Sequence, residues 1–496
     1  AHVQIVFYFA LSALIYFIYF FSRSFISKDI FLQKQLLKSL GIAAGAGIIA
    51  LLMSLDTYSE IYEYKPYSTR GTKSITENTA NTINQESYEY NTNWSFSPGE
   101  LLTFIVPSYY GFGKSKYQGP LTNNQQVEVN TYFGQMPFVD TAMYMGVIIF
   151  ALGLFALFVR WKEPAIRFFG ITVLFFILIS FGKNFPLIFD LMYYYFPFFD
   201  NFRTPSMILH VVQLFFPILA GFGIMSIVSL RENKNDRLEK VLKNITIVFA
   251  VLFLLSLLLS GSISSWFTSR VNSYTASLGN SQEAQMFNAL AEYMSGMFTG
   301  DLQIAMALLV LTFGLSYAYA ASKINKELLI TAFAILILFD LFRIGNRGAS
   351  YVESERIKQM FNEPEYITVI KNQNEKEPFR ILNLKQDGSM GSIQNNANFN
   401  VYFLQEDFFG YSAVKPRSFQ DLMDVVGPAN PTLWRMLGIK YLITDRPFEL
   451  PGTTIIHQSQ NNVVYRNDQA LPRVYFVDSL SQKNPLELLT DIRNNS

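Results

Sequence analysis

Long runs of apolar residues constrain the fold of this chain more than any other feature. A helix needs about 20 largely apolar residues to cross the hydrocarbon core of a membrane, with a range of about 17–25. Eight runs reach or approach that length, and they lack the polar face of a surface helix. The sequence therefore predicts a polytopic α-helical membrane protein of about eight spans. These are residues 3–21, 39–55, 141–159, 168–182, 206–228, 244–260, 302–321 and 328–342.

The composition agrees with this class and excludes several kinds of site. Half of the residues are hydrophobic and only 16% are charged, whereas soluble proteins average about 25% charged residues. The net charge of +1 gives no indication of nucleic-acid binding. The chain has no cysteine, which excludes disulfides, thiolate metal sites and a cysteine nucleophile. Its three histidines, His2, His210 and His457, are far apart in sequence, so a His-rich metal site is not predicted.

The distribution of Lys and Arg between the loops predicts the orientation of the bundle. One alternating set of loops carries 14 basic residues in 46 positions, and the other carries 8 in 149. Because basic loops stay on the cytoplasmic side, the first set is predicted to be cytoplasmic. Everything after residue 342 is then predicted to be extracytoplasmic. The first set is 22–38, 160–167, 229–243 and 322–327, and the second is 56–140, 183–205 and 261–301.

The composition and the hydrophobic pattern of the chain change after residue 342. Residues 1–342 are predicted to form the helical bundle, with a long outer loop at 56–140. Residues 343–496 hold 17 of the 39 basic residues and contain β-like runs, namely "RILNL", "KYLIT", "NVVYR" and "RVYFV", which turn signals separate. They predict an extracytoplasmic α/β or α+β domain of about 150 residues, which is an ordinary domain size.

The stretch "FFDNFRTPSM", residues 198–207, introduces polar residues where a span begins. Arg203, His210 and Gln213 recur at helical spacing and so share one face of a helix. An ionisable group at membrane depth is costly unless it faces the bundle interior, water or a partner, which makes these residues candidates for a site. The alternative is structural: Arg203 reaches the interface or forms an ion pair with Asp200. Thr204 is a predicted N-cap, before Pro205 in the first helical turn.

Other acidic residues lie near the predicted outer ends of spans. Asp340 and Arg343 end the eighth span, Asp301 opens the seventh, and Asp190 precedes the fifth. The same two interpretations apply to these residues: they form a functional site or a structural ion pair.

A second motif, "SPGELLTFIVPSYYGFG" at 97–113, lies in the long outer loop. Ser97 and Glu100 form a capping box, and Pro98 takes the first helical position. The apolar run 101–106 is too short to span. It predicts a short interfacial helix or a re-entrant hairpin, which acts either as a lid or as a simple anchor.

Motifs of soluble enzymes are missing from the sequence. It has no phosphate loop, dinucleotide fingerprint, G-x-S-x-G elbow or zincin pattern. A nucleotide-driven mechanism within this chain is therefore not predicted.

Several long segments together resemble one protein family. "SFGKNFPLIFDLMYYYFPFFDNFRTPSM" (180–207) and the 97–113 motif resemble segments of bacterial membrane proteins of the YfhO family. "NPTLWRMLGIKYLIT" (430–444) and "VVYRNDQALPRVYFV" (463–477) resemble that family's C-terminal domain. The resemblance covers nearly the whole chain, and the Phe-rich, Asn-rich composition resembles Bacteroidetes-type members.

The family is similar to type C glycosyltransferases. The resemblance implies a multi-pass protein of the bacterial cytoplasmic (inner) membrane. Such a protein moves a sugar from a polyprenyl-phosphate carrier to a cell-envelope glycan or polymer acceptor on the outer face. The resemblance also implies that Arg203 binds the carrier phosphate, since a guanidinium forms bidentate bonds with phosphate oxygens. Asp200, His210, Gln213 and Glu100 are the other candidate substrate-binding residues.

One departure from the family pattern concerns the catalytic base. Type C enzymes typically carry an Asp or Glu in the first outer loop, and this chain opens inside a span without an initiator Met. We therefore expect an upstream segment with an odd number of spans to supply that loop. Asp56 and Glu100 lie in the right compartment but match no base motif, so the base stays unassigned. No cofactor is identified, and a divalent metal ion would occupy a site that this chain leaves incomplete.

Two other functions stay open. A transporter or flippase of a lipid-linked glycan should show repeats and midplane breaks, which the sequence lacks. A non-catalytic envelope scaffold is the third possibility.

Overall fold

The structure is a computed structural model of the 496-residue chain. It describes residues 3–69, 71–76, 83–232, 235–351, 353–385, 398–412, 414–480 and 482–494. His2 lies outside the described residues. The chain divides into two compact units, Ala1–Ala43 with Asn81–Ser350, and Ala44–Ala80 with Tyr351–Ser496.

Helices make up most of the described chain, and six short strands form two sheets. The helices are α1 (Val3–Ile26), α2 (Ile30–Met53), α3 (Leu55–Tyr64), α4 (Ile83–Thr92), α5 (Val147–Arg160), α6 (Pro164–Ser180), α7 (Pro186–Tyr195), α8 (Leu209–Ser229), α9 (Asp236–Leu258), α10 (Ser260–Ser277), α11 (Gln282–Ala320), α12 (Lys326–Gly345), α13 (Ser354–Met360), α14 (Glu365–Lys371), α15 (Arg417–Val425), α16 (Pro431–Met436) and α17 (Pro485–Arg493). The strands are β1 (Lys114–Gln118), β2 (Gln126–Asn130), β3 (Arg380–Asn383), β4 (Ile439–Thr444), β5 (Thr453–Gln458) and β6 (Val463–Asn467).

The eight predicted apolar segments are helical over all or most of their length. Among the described residues, six helical stretches are long and apolar enough to cross a membrane, whereas α5 and α6 are apolar but shorter. The helical membrane architecture is thus supported by length and composition, and the count of eight spans stays a prediction. The six are α1, α2, the turn and helix Pro205–Ser229, α9, α11 and α12.

Two predicted loops are largely helical. Helix α2 begins at Ile30, so the connection after α1 is far shorter than the predicted loop 22–38. Within the predicted outer loop 261–301, α10 continues almost directly from α9 and packs against α11. Helix α11 has 39 residues, a length of about 58 Å, whereas the hydrocarbon core is about 30 Å thick. Its charged first half, which carries Glu283, Glu292 and Asp301, therefore extends beyond the apolar half that begins at residue 302.

The first unit is built around α5, α8 and α11. Helix α8 packs against α5 and α6, and α11 packs against α9 and α10. Helices α5 and α8 approach closely at Gly223 on α8, where a Cβ atom would lie 2.3 Å from the Leu152 carbonyl oxygen on α5. Small residues permit such close approach in membrane helices. Between α4 and α5, the hairpin of β1 and β2 occupies part of the long connecting segment.

The second unit contains a four-stranded mixed sheet in the order β3–β4–β6–β5. Strand β3 is parallel to β4, and the other neighbours are antiparallel. The runs "RILNL", "KYLIT" and "NVVYR" are confirmed as strands, whereas "RVYFV" is not a strand and β5 lies in a run that had not been singled out. Residues 64–69 and 71–76, predicted as outer loop, belong to this unit: the Thr69 amide donates to the Lys415 carbonyl at 2.9 Å, and Ser74 Oγ donates to Asp421 Oδ1 at 3.0 Å.

Candidate functional site

The segment 198–207 has a strained backbone. Phe198 and Thr204 adopt positive φ angles of 65° and 64°, which are unusual for bulky or β-branched residues. Pro205 opens a helical turn as predicted, but the Thr204 side chain makes no capping hydrogen bond. Thr204 therefore occupies the predicted N-cap position without a capping hydrogen bond, because its left-handed backbone departs from the extended conformation of a capping residue.

The end of α4 and the residues after it hold this segment in place. The Thr204 amide donates to the Asn91 carbonyl at 3.1 Å, and the Ser206 amide donates to the Trp94 carbonyl at 3.2 Å. The Asn91 side chain returns a bond of 3.0 Å to the Asp200 carbonyl. These bonds compensate for the strain, since sparsely populated backbone conformations persist only where neighbours fix them.

A buried glutamine on α1 completes the support. Gln4 is 4% exposed, and its Nε2 donates to the Arg203 carbonyl at 2.5 Å and to the Tyr8 hydroxyl at 2.8 Å. Sequence reasoning missed Gln4 because it lies in an apolar run. The available signal was an amide within a predicted span, where a polar side chain needs a partner.

The Arg203 guanidinium lies against an aromatic ring. Its Nη1 donates to the Tyr90 hydroxyl, and the guanidinium carbon lies 5.6 Å from the centre of that ring. Within the part of the chain that the structure describes, no carboxylate forms an ion pair with Arg203. Asp200 is exposed and instead accepts a bond of 2.9 Å from Asn201 Nδ2. The alternative of an Arg203–Asp200 ion pair is therefore not observed.

His210 and Gln213 share a face of α8 as predicted. His210 is exposed, and its Nδ1 lies 3.4 Å from Gln213 Oε1. Gln213 Nε2 donates to the Tyr144 carbonyl at 3.2 Å. No hydrogen bond joins either residue to Arg203 in the described ranges.

Glu100 is buried in a separate polar arrangement. The predicted short helix is confirmed as a 3₁₀ helix at Pro98–Phe104. Glu100 is 1% exposed and accepts bonds from the Ser97 amide at 2.7 Å and from the Tyr132 hydroxyl. Burial raises the pKa of Glu100, although these bonds oppose the shift. Glu100, Thr103 and Phe104 are buried in the protein, whereas Pro98 and Leu102 are exposed, so one side of this helix packs and the choice between lid and anchor stays a prediction.

Asp301 and the end of α12 form a structural ion network. Arg347 binds Asp301 through two bonds of 2.5 and 2.7 Å, and Arg343 Nη1 adds a third at 2.5 Å. Ser108 Oγ donates a fourth at 2.5 Å. With four donors on one carboxylate, Asp301 has no free acceptor position, so the structural interpretation fits it best.

Asp340 caps a helix that is distant in sequence. Its Oδ2 accepts a bond of 2.8 Å from the Val147 amide, the first residue of α5, and its Oδ1 accepts from the Tyr144 hydroxyl. This explains why α5 begins at Val147 rather than at the predicted residue 141. Gly146, with φ of 82°, turns the chain into the helix, and the carboxylate satisfies a free amide at its positive end.

Arg270 on α10 is a further half-buried cation that sequence reasoning missed. Its Nη1 donates to the Tyr109 carbonyl at 3.1 Å. No sequence signal marks it, because the surrounding rings come from three separate segments. The rings near its guanidinium are Tyr109, Tyr110, Phe133, Trp266 and Phe267.

Neither metal-ligand groups nor similar proteins assign a function to this chain. Among the described residues, no group of three or more His, Asp or Glu side chains is placed to hold a metal ion. No protein family, curated protein or solved structure matches this chain. The resemblance to the YfhO family therefore rests on the quoted segments alone.

Proposed function

We propose that this chain belongs to a membrane glycosyltransferase-like protein in which Arg203 binds the phosphate of a polyprenyl-phosphate sugar. The observation that carries the proposal is the state of the Arg203 guanidinium. Tyr90 and Gln4 fix its position, yet no described carboxylate neutralises it. By contrast, Arg343 and Arg347 are both ion-paired to Asp301.

The chemistry of the guanidinium suits a phosphate. It has five N–H donors, of which Tyr90 accepts one, and a planar fork that matches phosphate oxygens. The helical turn and helix that begin at Pro205 add the positive end of a helix dipole nearby, which favours an anion. The residues that follow Arg203 form an apolar candidate span, so a lipid carrier could keep its tail in the bilayer while its phosphate reaches the arginine.

Our proposed orientation follows the loop charges. The 198–207 segment and the second unit then face outward, in a bacterial cytoplasmic membrane, where an envelope glycan or polymer would be the acceptor. The exposed rings of Tyr194 and Tyr195 on α7 are available to stack on sugar faces. We assign no catalytic base and no metal ligand within the described chain.

A flippase for a lipid-linked glycan is the second candidate, because it would need the same phosphate contact. Transfer of labelled sugar to an acceptor favours the glycosyltransferase. Movement of the lipid between leaflets without transfer favours the flippase. A protein that does neither and does not bind the carrier would be a scaffold.

The phosphate contact can be tested with Arg203→Lys in the full chain, reconstituted in nanodiscs with polyprenyl phosphate. Lysine keeps the charge but loses the fork, so we expect carrier binding to weaken by roughly 10- to 100-fold, which corresponds to about 1.5–3 kcal/mol. Arg231→Lys is the matched control, since Arg231 follows the same helix and lies 4.9 Å from the Tyr319 ring. Equal carrier binding by wild type and Arg203→Lys would refute the proposed contact.

A further inference from the structure

The second unit exposes a largely apolar run after its last strand, interrupted by Asp478 and Ser479. Within 474–480, Phe476 is 103% exposed, Leu480 is 92% exposed and Val474 is 80% exposed. Tyr475 and Val477 are exposed as well. Single exposed apolar residues are common on soluble proteins, but five within seven residues mark a binding surface.

The run belongs to none of the strands. Just before it, the Leu471 amide donates to the Arg435 carbonyl at 2.9 Å, and Arg473 forms an ion pair with Glu406. After it, α17 begins at Pro485. A half-buried strand alternates apolar and polar residues, whereas residues 474–477 are apolar at four consecutive positions. Asp478 and Ser479 then precede Leu480, so the run suits an interface in which its apolar side chains meet lipid while the Asp478 carboxylate stays in water.

Covalent connections place a bilayer close to this unit. The unit includes residues 44–53, the end of the candidate span α2, and the whole of α3. Helix α3 has no buried residue and exposes Tyr62 at 82% and Ile61 at 53%, as expected for a helix at a membrane–water interface. A second connection follows α12, another candidate span, which ends at Gly345. Two short links to membrane helices keep the unit at high effective concentration near the lipid.

Packing within the unit links the run to the segment that follows α3. The Ser74 hydroxyl bonds Asp421 on α15 at 3.0 Å, and α15 packs against α17. The exposed run ends five residues before α17 begins at Pro485. The segment after the candidate span and the apolar run thus attach to one layer of helices.

We propose that residues 474–480 insert into the interface of the lipid bilayer and form a third membrane attachment of the second unit. The attraction is apolar, because the nearby cations are already neutralised: Arg473 pairs with Glu406, and Lys483 pairs with Asp491. Phosphatidylcholine therefore suffices, and anionic lipid and salt have little effect. This attachment depends on the membrane architecture and is independent of any sugar transfer.

The absence of cysteine allows a direct test in the full chain. Phe476→Cys is labelled with an environment-sensitive fluorophore in phosphatidylcholine nanodiscs. We expect a blue-shifted emission, quenching by lipid-attached nitroxide, and iodide quenching several-fold weaker than at the control. Asn461→Cys is that control, an exposed polar position in the turn between β5 and β6. Leu480→Cys should repeat the result and guards against a local effect of the first substitution.

Two outcomes would overturn the attachment. Equal iodide quenching at positions 476 and 461 would show that the run stays in water. Protection from iodide without quenching by lipid nitroxide would show that protein covers it. Energy transfer between labelled copies would then identify a second copy as the occupant.

Discussion

Gln4 donates a hydrogen bond of 2.5 Å to the main-chain carbonyl of Arg203, which lies 199 residues further along the chain. This bond joins the first helix to the strained segment before α8, next to the left-handed Thr204. The candidate phosphate-binding arginine is thus positioned through its backbone by Gln4 and through its side chain by Tyr90.

The first prediction concerns this support. Gln4→Leu keeps a similar volume but leaves the Arg203 carbonyl without its donor, so we expect a loss of roughly 1–3 kcal/mol in the free energy of unfolding. Denaturant unfolding in detergent measures it. Gln33→Leu is the control, because the Gln33 side chain bonds the nearby Ser24 carbonyl at 3.2 Å and should change stability by about 0.5 kcal/mol or less. Equal effects of the two variants would contradict the supporting role of Gln4.

The second prediction concerns the buried ion network. Asp301→Asn leaves Arg343 and Arg347 without the carboxylate that pairs with both, so we expect a loss of roughly 3–5 kcal/mol in the free energy of unfolding. Asp140→Asn is the matched control: its ion pair with Lys114, at 3.0 Å, is solvent-exposed and should have little effect. If Asp301→Asn were as stable as the control variant, Asp301 would not be a structural residue.

Sequence reasoning was most successful where a pattern is local. Apolar length predicted the helices, the Ser97–Glu100 spacing predicted the short helix, and alternating runs predicted three strands. It was less successful where distant contacts decide. The start of α5 depends on Asp340, from a helix almost 200 residues later. The environment of Arg203 depends on Gln4 and Tyr90, neither of which carries a motif.

The third prediction is a pH dependence in the second unit. Asp407 accepts bonds from Asn400 Nδ2 at 2.6 Å and from the Phe409 amide at 3.1 Å, and burial raises its pKa from 3.8 to about 6 despite them. Between those pH values the folded state holds a proton that the unfolded state has released. This group's contribution to stability therefore falls as pH rises from about 4 to about 6, by roughly 3 kcal/mol, and is constant above that range.

Asp407→Asn removes that titration. The stability of the variant relative to wild type should therefore rise over the same pH window and stay constant at higher pH. Unfolding curves of both proteins at several pH values between 4 and 8 measure the difference. Parallel pH profiles for the two proteins would contradict the raised pKa of Asp407.

The last prediction concerns topology. The contrast of 14 basic residues in 46 loop positions against 8 in 149 predicts that residues 229–243 are cytoplasmic and that the second unit faces outward. Because the chain has no cysteine, Asn235→Cys and Thr453→Cys provide single labelling sites. In intact spheroplasts, an impermeant thiol reagent should label position 453 and should reach position 235 only after lysis. The reverse pattern would invert the bundle, and it would move both Arg203 and the 474–480 run to the cytoplasmic face.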